Sequence, residues 1–134
     1  MGLTIGDAAT QSGLPAKTIR YYDEIELVSP SSRSQAGYRQ YEAAELHKLS
    51  FVKRARSFGF SVEDCRQLLG LFENQSRSSR EVKVFASRRL EEIEEKIRDL
   101  QSLHSELSQL AQRCPGDEQS DCPILSSLAN NKDN

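Results

Sequence analysis

Tryptophan is absent from this chain, methionine occurs once, histidine twice and cysteine three times, and hydrophobic residues fill only 37% of its 134 positions. So little core material, in a length that suits one domain or one domain with an appended helix, excludes a multi-domain enzyme and points to a core completed by dimerisation. No stretch approaches the ~18 apolar residues of a membrane span, and Met1 to Ser12 does not show the basic-then-apolar layout of a secretory signal. The expectation is a cytoplasmic protein with no membrane partner. An odd number of cysteines in dissimilar surroundings argues against a disulfide framework and for reduced thiols. There is no phosphate-cradling glycine loop, and His47 and His104 fall on separate segments without a nucleophile partner, so no enzyme is expected.

An excess of charge of one sign is missing too. The net charge of −2 hides a modest asymmetry, +2 over residues 1–60 and −4 over residues 61–134. The N-terminal half is therefore the side suited to a polyanion.

Ile5, Ala8 and Ala9 predict a short helix from about Thr4 to Gln11, capped by Thr4 and stopped by Gly13. Pro15 suits the first turn of a second helix, which carries Ile19 and Tyr22 inward and ends near Ile25. Two short helices joined by a glycine-containing turn form a helix-turn-helix pattern whose second helix presents Lys17, Thr18, Arg20 and Tyr21. The Ser-, Gly- and Pro-rich text from Val28 to Tyr41 reads as a small hairpin, a wing, with Arg33 and Arg39 flanking its tip and Tyr38 between them. That spacing suits two phosphate contacts, and an exposed loop with two solvated arginines is the competing reading. Two further helices follow, Glu42 to Ser57 with Leu46, Leu49, Val52 and Ala55 inward, and Val62 to about Asn74 with Cys65, Leu68, Leu69 and Phe72 at core spacing. Ser61 caps the latter, and Cys65 reads as a packed small hydrophobe.

After a polar linker, Gln75 to Ser79, the longest helical pattern runs from about Arg80 to Gln112. Ala86, Leu90, Ile93, Ile97, Leu100, His104, Leu107 and Ala111 alternate steps of four and three, an a/d seam that requires a partner helix. No other segment is long enough to cover it, so the seam implies a coiled coil between two copies. His104 interrupts it as a register-setting or partly exposed group.

Beyond that helix lies Cys114-Pro-Gly-Asp-Glu-Gln-Ser-Asp-Cys122-Pro, a turn-rich loop with a thiol at each end and no histidine. A structural zinc site wants four Cys or His ligands, whereas two soft thiolates suit a soft ion of low coordination number, such as Cu(I). Cys122 precedes Pro123, Ile124, Leu125 and Leu128, at the N-terminal edge of a short amphipathic helix that would favour its thiolate. Two ordinary cysteines in an acidic tail, and a reversible Cys114–Cys122 disulfide, remain as the other readings.

Thr18-Ile19-Arg20-Tyr21-Tyr22-Asp23, then Leu27-Val28-Ser29-Pro30, then Arg33 and Gly37-Tyr38-Arg39-Gln40-Tyr41, resemble the DNA-binding signature of the MerR family of transcription regulators. The Cys-Pro-Gly-Asp opening and Asp-Cys-Pro close of the thiol loop are similar to the copper-efflux regulators of that family. The resemblance implies a mainly all-α fold: a winged helix-turn-helix DNA-binding domain over 1–74, a linker and long antiparallel coiled-coil dimerisation helix over 75–113, a metal-binding loop with a short helix over 114–128, and a disordered tail over 129–134.

It also implies that Lys17, Thr18, Arg20 and Tyr21 face the major groove, that Arg33, Tyr38 and Arg39 anchor the wing, and that Cys114 and Cys122 ligate Cu(I), with Ag(I) or Au(I) as substitutes. Ser79 stands where divalent-metal members carry a further cysteine, which removes a third thiolate. The implied mechanism is activation of efflux genes by distorting promoter DNA for RNA polymerase. Two departures stand out. Glu26 occupies a position where the family usually has glycine, at a cost of roughly 1 kcal/mol if the backbone there is left-handed. The tail after Leu128 holds no Cys or His. Lys83 is left between neutralising the bis-thiolate and ordinary solvation.

Overall fold

The computed structural model describes residues 2–74, 76, 78–116 and 122–130. They fall into two compact units, Met1–Arg89 and Leu90–Asn134. In the first unit, α1 (Ile5–Ser12) is closed at its start by a reciprocal cap: Asp7 N–H donates to Thr4 Oγ1 at 3.1 Å, and Thr4 N–H donates to Asp7 Oδ2 at 3.3 Å. Gly13, at φ 78°, ends it in the left-handed conformation that turns the chain into α2 (Ala16–Glu24), with Pro15 as the residue just before the helix. Helix α1 packs on α2 and on α3 (Ala43–Ser57), and α3 packs on α4 (Val62–Glu73).

The apolar spacing read from the sequence is the spacing that is buried. Ile19 and Tyr22 from α2, Leu49, Val52 and Ala55 from α3, and Cys65, Leu68 and Leu69 from α4 share one core with Ala8, Leu27, Val28 and Tyr41. Leu46 packs at its edge. Phe72, expected in this core, is instead more than half exposed, and its ring lies 5.0 Å from that of Phe51. It sits in the last turn of α4, beyond the reach of the buried Leu68–Leu69 pair.

The end of α2 sets the direction of the chain towards the wing. Leu27 N–H bonds the Tyr22 carbonyl at 2.8 Å and Glu26 N–H bonds the Asp23 carbonyl at 3.0 Å, which is a left-handed helix cap with Glu26 at the position glycine usually fills. Glu26 has φ 59° and is the one non-glycine residue with positive φ among those described. Arg66 of α4 supports the strained turn from across the unit, donating to the Glu26 carbonyl at 3.0 Å and the Ile25 carbonyl at 2.9 Å. Strands β1 (Ser32–Arg33) and β2 (Arg39–Gln40) then pair antiparallel, Ser32 opposite Gln40 and Arg33 opposite Arg39. Leu3 bridges to Tyr41 beside them, so the chain's start is stitched to the base of the wing.

Helix α5 (Ser79–Arg113) is 35 residues long, about 50 Å at 1.5 Å per residue. It begins at Ser79, which belongs to the helix and not to the linker. Its first turns close the first unit: Phe85 packs on the core, Arg88 pairs with Asp64 at 3.2 Å, and Arg89 Nε donates to the Phe58 carbonyl at 2.8 Å. In the second unit, α6 (Pro123–Ala129) follows the thiol loop and includes Ala129, which the sequence reading left to the tail. Residues 131–134 of that expected tail, and 117–121 of the loop, lie outside the described residues. Among the described residues no helix is long and apolar enough to cross a membrane.

Replacing Glu26 by glycine removes the left-handed strain and adds unfolded-state entropy, leaving a net gain of about 0.5 kcal/mol. The thermal midpoint of Glu26→Gly should therefore rise. A fall would mean that the side chain stabilises the turn.

Candidate metal centre and nucleic-acid interface

The two loop cysteines, eight residues apart in sequence, meet. Helix α5 carries its hydrogen-bonding pattern up to Cys114, whose N–H bonds the Leu110 and Ala111 carbonyls at 3.2 Å each, and Gly116 turns the chain at φ 70°. Cys122 caps α6, with Pro123 in the first turn where its missing N–H costs nothing, and Ser126 N–H bonds the Cys122 carbonyl at 3.0 Å. The Cys114 thiol donates to the Cys122 sulfur across 3.8 Å. That gap is far longer than the ~2.05 Å of a disulfide. It is also short enough for one ion to touch both sulfurs, since two metal–thiolate bonds of ~2.3 Å reach across ~4.6 Å. Among the described residues no group of three or more Cys, His, Asp or Glu could hold a metal, and the soft donors that come together among them are the two thiols. A pair of thiolates suits a soft ion of low coordination number, whereas tetrahedral zinc takes four ligands.

The environment prepares one of the two for ionisation. The Leu125 N–H at the start of α6 holds the Cys122 thiol below its ordinary value, against a smaller opposing effect of burial and with help from the Cys114 thiol and the Ile124 N–H. Cys65 is the opposite case: fully buried on α4, its thiol is pushed up by desolvation. It is core and takes no part in the pair.

The head presents the other set of expected residues. On α2, Ile19 and Tyr22 are buried while Lys17, Arg20 and Tyr21 are exposed and Thr18 is half-buried, so one face anchors the helix and the other is free. Tyr38 stands at the wing tip, 73% exposed. Arg33 and Arg39 are not free cations: Arg39 Nε lies 2.7 Å and Arg33 Nη2 3.3 Å from the same Asp23 oxygen, and Arg33 Nη1 also donates to the Gly37 carbonyl at 3.2 Å. Asp23 and Arg66 are the residues that sequence reasoning did not single out. Each acts on partners 10 to 41 residues away, and no local pattern marks such a pair.

Along α5, Ala86, Leu90, Ile97, Leu100, His104, Leu107 and Ala111 are exposed, Ile93 is half-buried, and no residue of the helix is buried. Ile97, Leu100, Gln101, Leu103, His104 and Leu107 line a shallow apolar groove of about 530 Å³. Leu103 widens the stripe beyond the strict a/d set. Ser79 is exposed in the first turn of α5, and Lys83 is exposed one turn later.

Residues 3–71 match the family of MerR HTH regulatory proteins, and residues 46–110 match the MerR DNA-binding family. This chain belongs to the MerR family. It is a DNA-binding transcriptional regulator and not an enzyme. The HTH-type transcriptional regulator HmrR of Rhizobium leguminosarum bv. viciae is 49% identical over 95% of this chain and 98% of its own length. The HTH-type transcriptional regulator CueR of Yersinia pestis is 44% identical over 95% of this chain and 91% of its own. Among solved structures, the transcription regulator PbrR691 from Ralstonia metallidurans CH34, in complex with lead(II), superposes with a TM-score of 0.80 at 26% identity, over 94% of this chain and 98% of that one.

A lowered thiol pKa means that thiolate persists at pH values where an ordinary cysteine is protonated, and is lost only as pH falls through the lowered value. At neutral pH, iodoacetamide should therefore modify Cys122 well before Cys65 in the folded MerR-family protein. Peptide mass mapping that found Cys65 modified first would contradict this.

Proposed function

We propose that this chain is a homodimeric, Cu(I)-sensing transcriptional activator of metal-efflux genes. The observation that carries the reading is the pair of thiols, Cys114 and Cys122, held 3.8 Å apart with no third donor among the described residues. The similarity to HmrR and CueR over nearly the whole chain supports it. Cys114 and Cys122 would hold a soft monovalent ion, which would supply soft Lewis-acid bonding to thiolate, and Ag(I) and Au(I) share that chemistry. Ser79 contributes to selectivity by withholding a third thiolate, which Zn(II) and Hg(II) sites of higher coordination would use.

The protein's own part in the switch is mechanical. Cys114 ends α5 and Cys122 begins α6, so whatever fixes their separation fixes how α6 lies against the end of the dimerisation helix. Leu103, Leu107 and Leu110 of α5 and Leu128 of α6 border one cleft of about 430 Å³, the packing that such a shift would alter. Helix α5 pairs with its counterpart in a second copy through Ala86, Leu90, Ile93, Ile97, Leu100, His104, Leu107 and Ala111, antiparallel, and thereby sets the spacing of the two heads. Lys17, Thr18, Arg20 and Tyr21 enter the major groove of double-stranded promoter DNA, and Arg33, Tyr38 and Arg39 hold the backbone beside it. Both states bind the operator. The signalled state distorts it into a form that RNA polymerase accepts, at a deformation cost of a few kcal/mol that a modest difference between the two dimer states covers.

A thiol pair this close also suits a redox reading, in which peroxide oxidises the two thiols to one disulfide with loss of two hydrogens. Non-reducing mass analysis after mild peroxide separates the two inputs.

Fluorescence anisotropy on an operator duplex tests the proposal. Affinities with and without Cu(I) should agree within about fivefold, below the usual range of an allosteric effect on affinity, while transcription in vitro rises only with Cu(I). Release of the protein from DNA by Cu(I) would contradict activation by distortion.

A further inference from the structure

The wing and the recognition helix are joined through one carboxylate. Asp23 lies in the last turn of α2, and its Oδ2 accepts from Arg39 Nε at 2.7 Å and from Arg33 Nη2 at 3.3 Å. The three side chains are unequally exposed: Asp23 14%, Arg39 22% and Arg33 50%. The pair Asp23–Arg39 is therefore sheltered, and Arg33 is the outer member. Arg33 is further tied across the hairpin to the Gly37 carbonyl, where φ of 89° gives the tip its tight turn. Below the cluster Tyr41 is fully buried, with its hydroxyl unbonded, and burial first and the Asp23 charge second push its pKa up. The guanidinium of Arg39 uses only Nε on Asp23; its two Nη groups make no other hydrogen bond among the described residues.

Such an arrangement has a cost for a DNA-binding protein. Asp23 places a negative charge between two groups that face a polyanion, and by electrostatics alone its removal would strengthen binding. Its benefit is geometric. An unheld arginine loses a large rotamer entropy on docking, whereas a guanidinium already gripped through one N–H offers its remaining N–H fork in a fixed direction. Because Asp23 belongs to α2, the grip also fixes the wing relative to the helix that enters the groove.

We propose that Asp23 is a positioning residue for DNA binding, which holds Arg33 and Arg39 jointly so that their free N–H groups meet the DNA backbone at a set distance from the recognition helix. The proposal rests on the DNA-binding reading of the head. It predicts a sign opposite to that of simple charge: neutralising an acidic residue on the DNA-facing side weakens binding.

The test uses the full-length protein and a duplex selected from a random pool by the wild type, with affinity measured by anisotropy over a range of salt concentrations and folding checked by circular dichroism. Asp23→Asn should bind about tenfold more weakly, as expected from losing charge-assisted hydrogen bonds that hold the arginines. Arg33→Gln should lower the salt slope by about 0.9, the signature of one phosphate contact. Asp23→Asn binding as tightly as the wild type or tighter would overturn the proposal, because the carboxylate would then act only as a counter-charge. Should that variant not fold, Asp23→Glu, which keeps the charge but displaces it by one methylene, carries the same sign, with weaker binding in support and equal or tighter binding against. A wild-type protein that selected no duplex at all would remove the DNA-binding reading, and the proposal with it.

Discussion

Beyond the first turns, which pack Phe85 on the head, a 35-residue helix with no buried residue draws little stability from its own chain. Helix α5 carries a leucine- and isoleucine-rich stripe, and single helices in water gain too little from propensity alone to keep such a stripe exposed. The rest of the molecule depends on how that stripe is covered. A second copy meets the requirement with the same surface on both sides, since the a/d seam is self-complementary. The small hydrophobic fraction of the chain and the apolar groove around Leu100 and Leu107 are then two views of one fact. The head has its own core within one chain, and the apolar stripe of α5 does not.

The head shows how few residues suffice to aim a recognition helix. Ile19 and Tyr22 fix its rotation by burial, Gly13 fixes its approach and the left-handed cap at Glu26 fixes its exit. Arg66 and Asp23 then tie that exit to α4 and to the wing. The exit of α2 is thus held by one arginine-centred and one carboxylate-centred link that span the domain. At the other end of the chain a comparable economy holds: one loop brings two sulfurs together, and the first turn of α6 favours ionisation of one of them.

Much of this was legible in the sequence because it is local. Thr4, Gly13, Pro15 and Ser61 mark helix boundaries through bonds to residues a turn away, and the apolar spacing of α2, α3 and α4 selects the faces that are buried. The place of Cys122 at the start of α6 followed from Pro123 in the same way. What was not legible depends on partners distant in sequence. Periodicity put Phe72 on the core face but could not show that the core ends before it, and it missed Leu103 because a strict heptad omits the flank of the stripe. The spacing of Arg33 and Arg39 suggested two free cations, whereas the fold brings a carboxylate from α2 between them. Glu26 is the instructive exception: its departure from glycine was visible as a cost that applies if the turn is left-handed, and the turn is left-handed, supported by Arg66 from the far side of the unit.

Metal sensing by a two-thiolate site is the central claim, and it turns on whether Cys114 and Cys122 act as one ligand. An anaerobic titration of the reduced protein with Cu(I) against a competing chelator, run beside Cys114→Ser, measures this directly. The account predicts tight uptake of about one ion per chain, lost in the variant, as expected when a two-coordinate soft site loses half its donors. Failure of the wild-type protein to compete with the chelator, or retention of uptake by Cys114→Ser, would contradict it.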